Sequence, residues 1–241
     1  MEREIGLAGC VNFRDVGGYQ AKGGSVVWRR LFRSDALHEL TPSDVGLLRD
    51  LGLTVVIDLR SDFERAHDGA GPHPLTALGA TFVHAPIINE HNGAFMADTS
   101  LTLARRYAKI TEAAGQPLLD AVTAIAEAPG AVVFHCAAGK DRTGLVSAVV
   151  LGALGVDDED VIADYAMSAR NLTAIAARLQ SHPAYEDSYQ YVPQDAMTAD
   201  AETMRELIAD LRSRHGTMGG LLQNLGLPAQ SLTRLRETLL T

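Results

Sequence analysis

The chain has 241 residues, 46% of them hydrophobic and 21% charged, and a net charge of −9 at pH 7. This composition is typical of a globular protein and excludes a disordered tail, a collagen-like repeat and a small disulfide scaffold. The acidic balance argues against nucleic-acid partners and a polybasic membrane binder, and the longest apolar stretch, at 145–154, is about half of what a bilayer crossing needs. Two cysteines and a start without a basic, apolar leader predict a soluble cytoplasmic protein, folded as a single domain over 1–241.

The predicted elements alternate between short strands and helices. In chain order they are a strand at 26–32, a helix from Thr41 to about 51, strands at 53–59 and 81–84, helices at 101–114 and 117–128, a strand at 131–135, a helix at 143–154, a helix after Asp157, and two or three helices beyond 171. Thr41 and Pro42 supply helix-start chemistry, and β-branched runs bounded by glycine or charge are typical of strands covered on both faces. The alternation predicts an α/β fold with a central, mostly parallel sheet flanked by helices and a helical C-terminal third.

The segment 135–144, His-Cys-Ala-Ala-Gly-Lys-Asp-Arg-Thr-Gly, joins a predicted buried strand to a helix through small residues. Backbone N–H groups at such a junction, together with the helix dipole, predict a site for an anion. The same field favours the thiolate of Cys136. Arg142 can bind two phosphate oxygens with its planar guanidinium, and the Thr143 hydroxyl can donate to the sulfur. The phosphate-binding residues that this segment predicts are Ala137, Ala138, Gly139, Lys140, Asp141 and Arg142.

This Cys-x5-Arg-Thr pattern is the signature of cysteine-dependent phosphatases, and other motifs resemble one bacterial family. They occur in the expected order, at 12–18, 31–34, 58–61, 163–165 and 219–221. The chain is therefore similar to the bacterial tyrosine and lipid phosphatases related to the mycobacterial secreted protein-tyrosine phosphatase B. The resemblance implies a protein-tyrosine-phosphatase-like fold and hydrolysis of phosphotyrosine, with phosphoserine, phosphothreonine and phosphoinositides as further substrate classes. It also implies a helical lid within about 171–214, and export without a signal peptide as in some relatives.

The mechanism indicated by these residues begins with attack of the Cys136 thiolate on phosphorus, which forms a phosphocysteine. Arg142 and the loop N–H groups would hold the equatorial oxygens. Because they supply the positive charge, we expect neither a metal nor another cofactor. The alternative function is a module that binds a phosphorylated ligand without turnover.

Two carboxyl groups compete for the role of general acid. Asp141 lies within the loop, where the family places an aspartate, and its alternative role is a buried partner of Arg142. Asp58 ends a predicted strand, at the sheet edge where ligands of α/β folds gather. Its alternative role is an ion pair with Arg60 or Arg14.

Supporting roles are expected for five further residues. His135 would orient the loop by hydrogen bonding to its backbone. Asn12, Arg14 and Asp15 match the family's amino-terminal motif and would brace or border the pocket. Lys140 makes the loop similar to that of phosphoinositide 3-phosphatases and would favour substrates with more than one phosphate, unless it is a solvated lysine.

Other features leave alternatives open. Cys10 is expected to be a small core residue, or else a partner for a reversible disulfide with Cys136. The other histidines show no clustered ligand set, so no metal site is predicted. Core packing or the underside of a lid would both explain an apolar stripe formed by Leu172, Ile175, Ala176 and Leu179. The expected partner is a phosphorylated protein or a phosphoinositide, without nucleic acid or stable membrane insertion, and the oligomeric state is left open.

Overall fold

The chain is built around a five-stranded sheet, and the computed structural model describes residues 1–68, 73–185 and 192–241. The described strands are β1 (Arg14–Asp15), β2 (Gln20–Ala21), β3 (Gly24–Ser25), β4 (Leu31–Ser34), β5 (Leu53–Asp58), β6 (Thr81–His84) and β7 (Ala131–His135). The main sheet has the order β1-β4-β7-β5-β6, and β2 pairs with β3. Strands β4, β7, β5 and β6 are parallel and β1 is antiparallel to β4. The predicted α/β fold with a mostly parallel sheet is confirmed.

Helices pack around this sheet. They are α1 (Pro42–Asp50), α2 (Asp62–Arg65), α3 (Gly93–Ala97), α4 (Leu103–Ala114), α5 (Gln116–Glu127), α6 (Asp141–Leu154), α7 (Asp158–Ala166), α8 (Leu172–Ser181), α9 (Ala201–His215), α10 (Met218–Asn224) and α11 (Ala229–Leu239), with 3₁₀ helices at Pro74–Leu78, Met167–Asn171 and Gln194–Met197. Helix α6 begins two residues before its predicted start, and the described residues beyond 171 form four α-helices rather than two or three. Across the described ranges, no helix combines the length and apolar character of a membrane span.

Helix boundaries follow the caps that the sequence predicts. At the start of α1, the Thr41 side chain accepts from the Asp44 N–H at 3.2 Å, and the Asp44 carboxylate accepts from the Thr41 N–H at 2.8 Å. Helix α6 ends at Gly155, whose φ of +86° lies in the left-handed region that glycine tolerates. These local signals fix where α1 begins and where α6 ends.

The strand predicted at 26–32 is wrong over most of its length. Arg29 has a positive φ of 60°, and its N–H donates to Oδ2 of Asp15 at 2.8 Å. Leu31 and Phe32 belong to β4, which continues to Ser34. The earlier part of the apolar run is therefore a turn fixed by a carboxylate from β1, a contact that the local pattern does not contain.

The two faces of the sheet pack into separate cores. Val132 and Phe134 of β7 face the larger core, which includes side chains of α4, α5 and α6, whereas Ala131 and Val133 face the smaller one beside α1. This alternation is the period of two expected for a strand. Strand β7 is therefore buried on both faces, and its carboxyl end lies beside the ends of β4 and β5 at the edge where the site forms.

Candidate active site

A cavity of about 680 Å³ opens at the carboxyl end of β7. On one side it is lined by Cys136, Ala137, Ala138, Lys140, Asp141 and Arg142, and on another by Leu172, Ile175, Ala176 and Leu179 of α8. The Cys136 side chain is buried, with 1% of the residue surface exposed. The predicted loop residues and the apolar stripe thus meet at one cavity. Residues 186–191, inside the predicted lid, lie outside the described residues.

The cysteine loop (residues 136–140) turns at Gly139, where only glycine fits. Gly139 has a φ of +66°, and a Cβ there would lie 2.5 Å from the Asp35 nitrogen and 2.6 Å from the Ser34 carbonyl carbon. Both the left-handed conformation and this close approach exclude a side chain. The turn therefore rests directly on the end of β4.

The cysteine loop has its carbonyl oxygens bound from outside. The Ala36 N–H donates to the carbonyl oxygen of Ala137 at 3.1 Å. Asn12 Nδ2 donates to the carbonyl oxygen of Ala138 at 3.0 Å. Arg33 Nη2 donates to the carbonyl oxygen of Gly139 at 2.9 Å. In a trans peptide the C=O and the following N–H point in opposite directions, so the N–H groups of 138–140 point away from these donors. No described residue accepts from the backbone N–H groups of 137–140. They are free to bind an anion.

Behind the cysteine loop lies the rear network, formed by Arg14, Arg33 and Asp164. Arg14 Nε donates to Asp164 Oδ1 at 3.1 Å, and Arg33 Nη1 donates to Oδ2. All three side chains are at most 2% exposed. Burial opposes ionisation of Asp164, yet the charges of Arg33 and Arg14 hold its pKa well below its usual range. Arg14 Nη1 also donates to Asn12 Oδ1 at 2.6 Å, which fixes the amide that binds the cysteine loop.

Asp15 acts away from the cavity. Its Oδ1 accepts from the Gly17 N–H at 2.7 Å, and its Oδ2 accepts from the Arg29 N–H at 2.8 Å. Among the three amino-terminal residues expected at the pocket, Asn12 contacts the cysteine loop directly and Arg14 acts through it. Asp15 does not line the cavity and instead supports the turn at Arg29, so of the two expected roles, bracing or bordering the pocket, bordering is not the one seen here.

The front pair, Arg142 and Glu64, lies in the cavity wall. Arg142 Nη1 donates to Glu64 Oε2 at 2.5 Å and Nη2 donates to Oε1 at 2.7 Å. Glu64 also accepts from the N–H and Oγ of Ser61, each at 2.8 Å, and from the Tyr185 hydroxyl at 2.5 Å. Burial raises the pKa of Glu64, but Arg142 outweighs it and lowers that pKa to about 2. Sequence reasoning missed Glu64, although Ser61-x-x-Glu64 is a capping-box pattern that could have identified it.

Lys140 and Asp141 interact with each other at the entrance to α6. Lys140 Nζ lies 3.0 Å from Asp141 Oδ1, and it donates to the carbonyl oxygens of Ala196 and, at 2.7 Å, Thr198. Asp141 Oδ1 also accepts from the Tyr107 hydroxyl. The Lys140 side chain is 2% exposed, so it is not the solvated lysine considered as an alternative. Its three N–H donors have three acceptors.

The family comparison agrees with this geometry. Residues 5–241 match the model of a tyrosine phosphatase family. The chain belongs to this family. The resemblance predicted from the motifs is thereby confirmed.

Individual relatives extend over most of the chain. It is 29% identical to the triple specificity protein phosphatase PtpB of Mycobacterium tuberculosis over 273 residues, covering 97% of this chain and 98% of that protein. It is 27% identical to a tyrosine-protein phosphatase of Nostoc commune, covering 86% of this chain and 73% of that protein. The crystal structure of TpbA from P. aeruginosa matches at 19% identity with a TM-score of 0.34, covering 82% of this chain and 86% of that chain.

In this member of the tyrosine phosphatase family, Asp58 is part of a structural ion pair. The cavity is not lined by Asp58, which accepts from Arg60 Nε at 3.0 Å and Nη2 at 2.8 Å. Burial opposes ionisation of Asp58, yet the nearby His135 and Arg60 hold its pKa well below its usual range. Of the two roles considered for Asp58, the structure shows the ion pair with Arg60. A role as general acid stays a prediction, and its position outside the cavity does not favour that role.

His135 and Thr143 differ in how they meet their expected roles. His135 Nδ1 lies 3.4 Å from the Cys136 carbonyl oxygen, and burial lowers the pKa of this histidine to about 4. Thr143 Oγ1 is buried and has no hydrogen-bond partner among the described residues. The expected donation from Thr143 to the sulfur is therefore not formed in this structure.

Cys10 lies in the smaller core and Cys136 in the larger one, so the sheet separates them. Both are free thiols, and burial raises the pKa of Cys10 to about 12. The disulfide considered as an alternative is not formed in this structure, where the two side chains pack in different cores. Cys10 is a core residue.

The expectation that the histidines form no cluster is also wrong. His38, Asp68 and His182 bring ligand atoms within 4.8 Å of one another. Arg60 already binds both Asp68 oxygens at 2.7 Å. His182 Nδ1 accepts from the Ala184 N–H at 3.1 Å, which leaves the ring proton on Nε2, 3.4 Å from Asp68. His182 therefore presents a proton, and Asp68 a carboxylate already paired with Arg60, rather than free lone pairs for a metal ion.

Proposed function

We propose that the protein is a phosphomonoesterase that hydrolyses phosphotyrosine through a phosphocysteine intermediate. The observation that carries this proposal is the cysteine loop itself. Its carbonyl oxygens are bound from behind, its N–H groups have no acceptor among the described residues, and Cys136 and Arg142 line the same cavity. Unpaired N–H groups at a helix start beside a guanidinium suit a tetrahedral dianion.

The reaction would proceed in two steps. The Cys136 thiolate attacks phosphorus in line, an S–P bond forms, and the P–O bond to the leaving group breaks. Asp141 gives its proton to the leaving oxygen. Water then attacks phosphorus, Asp141 takes back a proton, and the S–P bond breaks to release inorganic phosphate and the thiolate. Asp141 is proposed as the acid because it lines the cavity, whereas Asp58 does not.

The state of Lys140 favours singly phosphorylated substrates. A phosphoinositide with several phosphates needs positive charge beyond the reacting phosphate, but the Lys140 ammonium is already bound by Asp141 and by the carbonyl oxygens of Ala196 and Thr198. Apolar side chains of α8 form much of the cavity wall and suit an aromatic ring. Phosphotyrosine is therefore the proposed substrate, ahead of phosphoserine, phosphothreonine and phosphoinositides.

We also propose that residues 1–241 act as one phosphatase domain, with α8 and the segment after it as a lid. The family match over residues 5–241 supports the first part. The contribution of Leu172, Ile175 and Leu179 to the cavity wall supports the second. A lid of this kind would exclude water from the thiolate and the phosphate.

Hydrolysis of an aryl phosphate and of a phosphotyrosine peptide tests the function. Turnover that is inhibited by vanadate and lost in Cys136→Ser is expected. Phosphopeptide binding by the wild-type protein without any release of phosphate would instead establish the alternative of a binding module. Turnover that persists in Cys136→Ser would contradict the phosphocysteine step.

A further inference from the structure

Tyr107 is a buried residue of α4 whose hydroxyl meets the proposed general acid. None of its surface is exposed, and the hydroxyl donates to Asp141 Oδ1. Asp141 lines the cavity, whereas Tyr107 does not. The contact joins the middle of α4 to the first residue of α6 across 34 positions of the chain. Tyr107 can therefore affect a ligand only through Asp141.

The Tyr107 hydroxyl is the donor in this contact. Burial, and then the charge of Asp141, raises the pKa of Tyr107 well above its usual range, so the hydroxyl keeps its proton. The Tyr165 hydroxyl lies 3.2 Å from that of Tyr107, but it forms no hydrogen bond with Asp141. In the part of the chain that the structure describes, no other hydroxyl donates to this carboxyl group.

The two carboxyl oxygens of Asp141 have different surroundings. Oδ1 accepts from Tyr107 and lies 3.0 Å from Lys140 Nζ, whereas no described residue donates to Oδ2. An ammonium group has donors and no acceptor. A proton on Oδ1 would therefore face hydrogen atoms that Lys140 and Tyr107 already present there. Oδ2 is the oxygen that is free to carry a proton to a ligand.

We propose that Tyr107 is a positioning residue for acid catalysis, which together with Lys140 holds Oδ1 of Asp141 so that Oδ2 and its proton meet the leaving oxygen. This inference rests on the proposed phosphatase function and deepens it. In the first step the O–H bond at Oδ2 breaks, and the proton goes to the leaving oxygen as its bond to phosphorus breaks. In the second step Oδ2 takes a proton from the attacking water. Tyr107 and Lys140 keep their protons throughout.

A purely structural role for Tyr107 is the alternative. A buried hydroxyl needs a hydrogen-bond acceptor, and Asp141 would then serve only as that acceptor. Loss of the hydroxyl would lower stability and would affect every substrate equally. A positioning role instead makes the loss of activity depend on the leaving group, because a good leaving group departs without a proton and a poor one needs the acid.

The test measures kcat/KM for p-nitrophenyl phosphate, which has a good leaving group, and for phenyl phosphate, which has a poor one. Tyr107→Phe keeps the ring in the core and should lower kcat/KM for phenyl phosphate by about tenfold, a part of what an acid contributes, but that for p-nitrophenyl phosphate by less than about twofold. Tyr165→Phe is the matched control. It removes an equally buried hydroxyl from the same core and should keep the wild-type ratio of the two values.

A double-mutant cycle separates positioning from packing. Asp141→Asn should lower kcat/KM for phenyl phosphate by about 10²-fold or more. If Tyr107 acts through the Asp141 carboxyl group, adding Tyr107→Phe to Asp141→Asn will not change the ratio of the two substrates further. Equal losses with both substrates, or the same change of ratio in both backgrounds, would overturn the inference.

The same measurements distinguish this inference from the proposed function. Turnover that persists in Cys136→Ser would overturn the function and the inference together. An Asp141→Asn variant with the wild-type ratio would remove Asp141 as the acid, and the role of Tyr107 with it. Turnover that depends on Cys136 and Asp141, with the wild-type ratio in Tyr107→Phe, overturns the inference alone.

Discussion

The rear network and the front pair are both built from arginine and carboxylate, yet they differ in what they leave free. Behind the cysteine loop, Arg14 and Arg33 share the carboxylate of Asp164, and all three side chains are sealed from solvent. In the cavity wall, Arg142 alone among the described arginines binds Glu64, and it keeps three N–H groups without a described protein acceptor. The sealed network can act on the backbone of the cysteine loop, and the open pair can act on a ligand.

The two groups also differ in charge. Two arginines against one carboxylate leave one positive charge behind the cysteine loop, whereas the front pair is neutral. Burial and the neighbouring Arg33 lower the pKa of Arg14 to about 10, which still leaves it protonated at pH 7. The rear network therefore adds to the positive potential of the helix start behind the cysteine loop.

The largest expected effect is a loss of catalysis when Arg142 of the front pair is replaced. Arg142→Lys replaces a planar set of donors with a point charge, so kcat/KM for an aryl phosphate should fall by about 10³-fold. The melting temperature should change little, because the side chain lies in a cavity wall. Steady-state kinetics and thermal unfolding measure both quantities. A loss of activity below tenfold would show that the open arginine is not needed for the transition state.

In the rear network, replacing one member of the charged group should lower the stability of the fold. Asp164→Asn leaves two buried guanidinium groups without a negative partner, and the free energy of unfolding should fall by about 3 kcal/mol. For a chain of this length that corresponds to a decrease in melting temperature of about 8 °C. Asp62→Asn, at an exposed carboxylate, is the control. A melting temperature within 2 °C of wild type, on the order of measurement error for such a change, would contradict the structural role.

A smaller effect is expected at Gly139, whose carbonyl oxygen the rear network binds. Gly139 and Gly79 both have a φ of +66°, but a Cβ at Gly79 would meet nothing within 4 Å. Gly79→Ala should therefore cost about 1 kcal/mol of left-handed strain. Gly139→Ala adds the contact with Ser34 and Asp35 and should cost at least about 1 kcal/mol more. Denaturant unfolding of the two variants measures this difference, and equal losses would show that the close approach is unimportant.

The smallest effect concerns acid. Arg142 lowers the pKa of Glu64 to about 2, from its ordinary value of 4.5. Because the pKa is depressed in the folded state, the stabilisation is complete above pH 4.5 and is lost as the pH falls toward 2. Wild type should lose stability more steeply than Glu64→Gln across this window, as followed by denaturant unfolding at each pH. Parallel curves would mean that the front pair contributes nothing to folding.

Some features of the site can be predicted from the sequence and others cannot. The strand, cysteine loop and helix around Cys136 are consecutive, so residue types and periodicity are sufficient to predict them. Arg14, Arg33 and Asp164 lie in three separate motifs, and their meeting depends on the pairing of β1 with β4 and on the packing of α7. The sequence indicated the motifs but not that they form one network.

The errors have the same origin. Glu64 lies three positions after the motif at 58–61, but its contact with Arg142 spans 78 residues. The turn at Arg29 depends on Asp15, and the cluster of His38 with His182 joins segments that no local period connects. In each case a long-range contact outweighs the local preference.

The separation of Cys10 from Cys136 by the sheet bears on how the protein would recover from peroxide. A sulfenic acid at a reactive cysteine is usually rescued by condensation with a nearby thiol. Since the second cysteine of the chain faces the other core, rescue depends on a small thiol from solution that can enter the cavity. The rate of reactivation should then rise with the concentration of added thiol, and mass spectrometry should detect a mixed disulfide at Cys136 in place of an internal bridge.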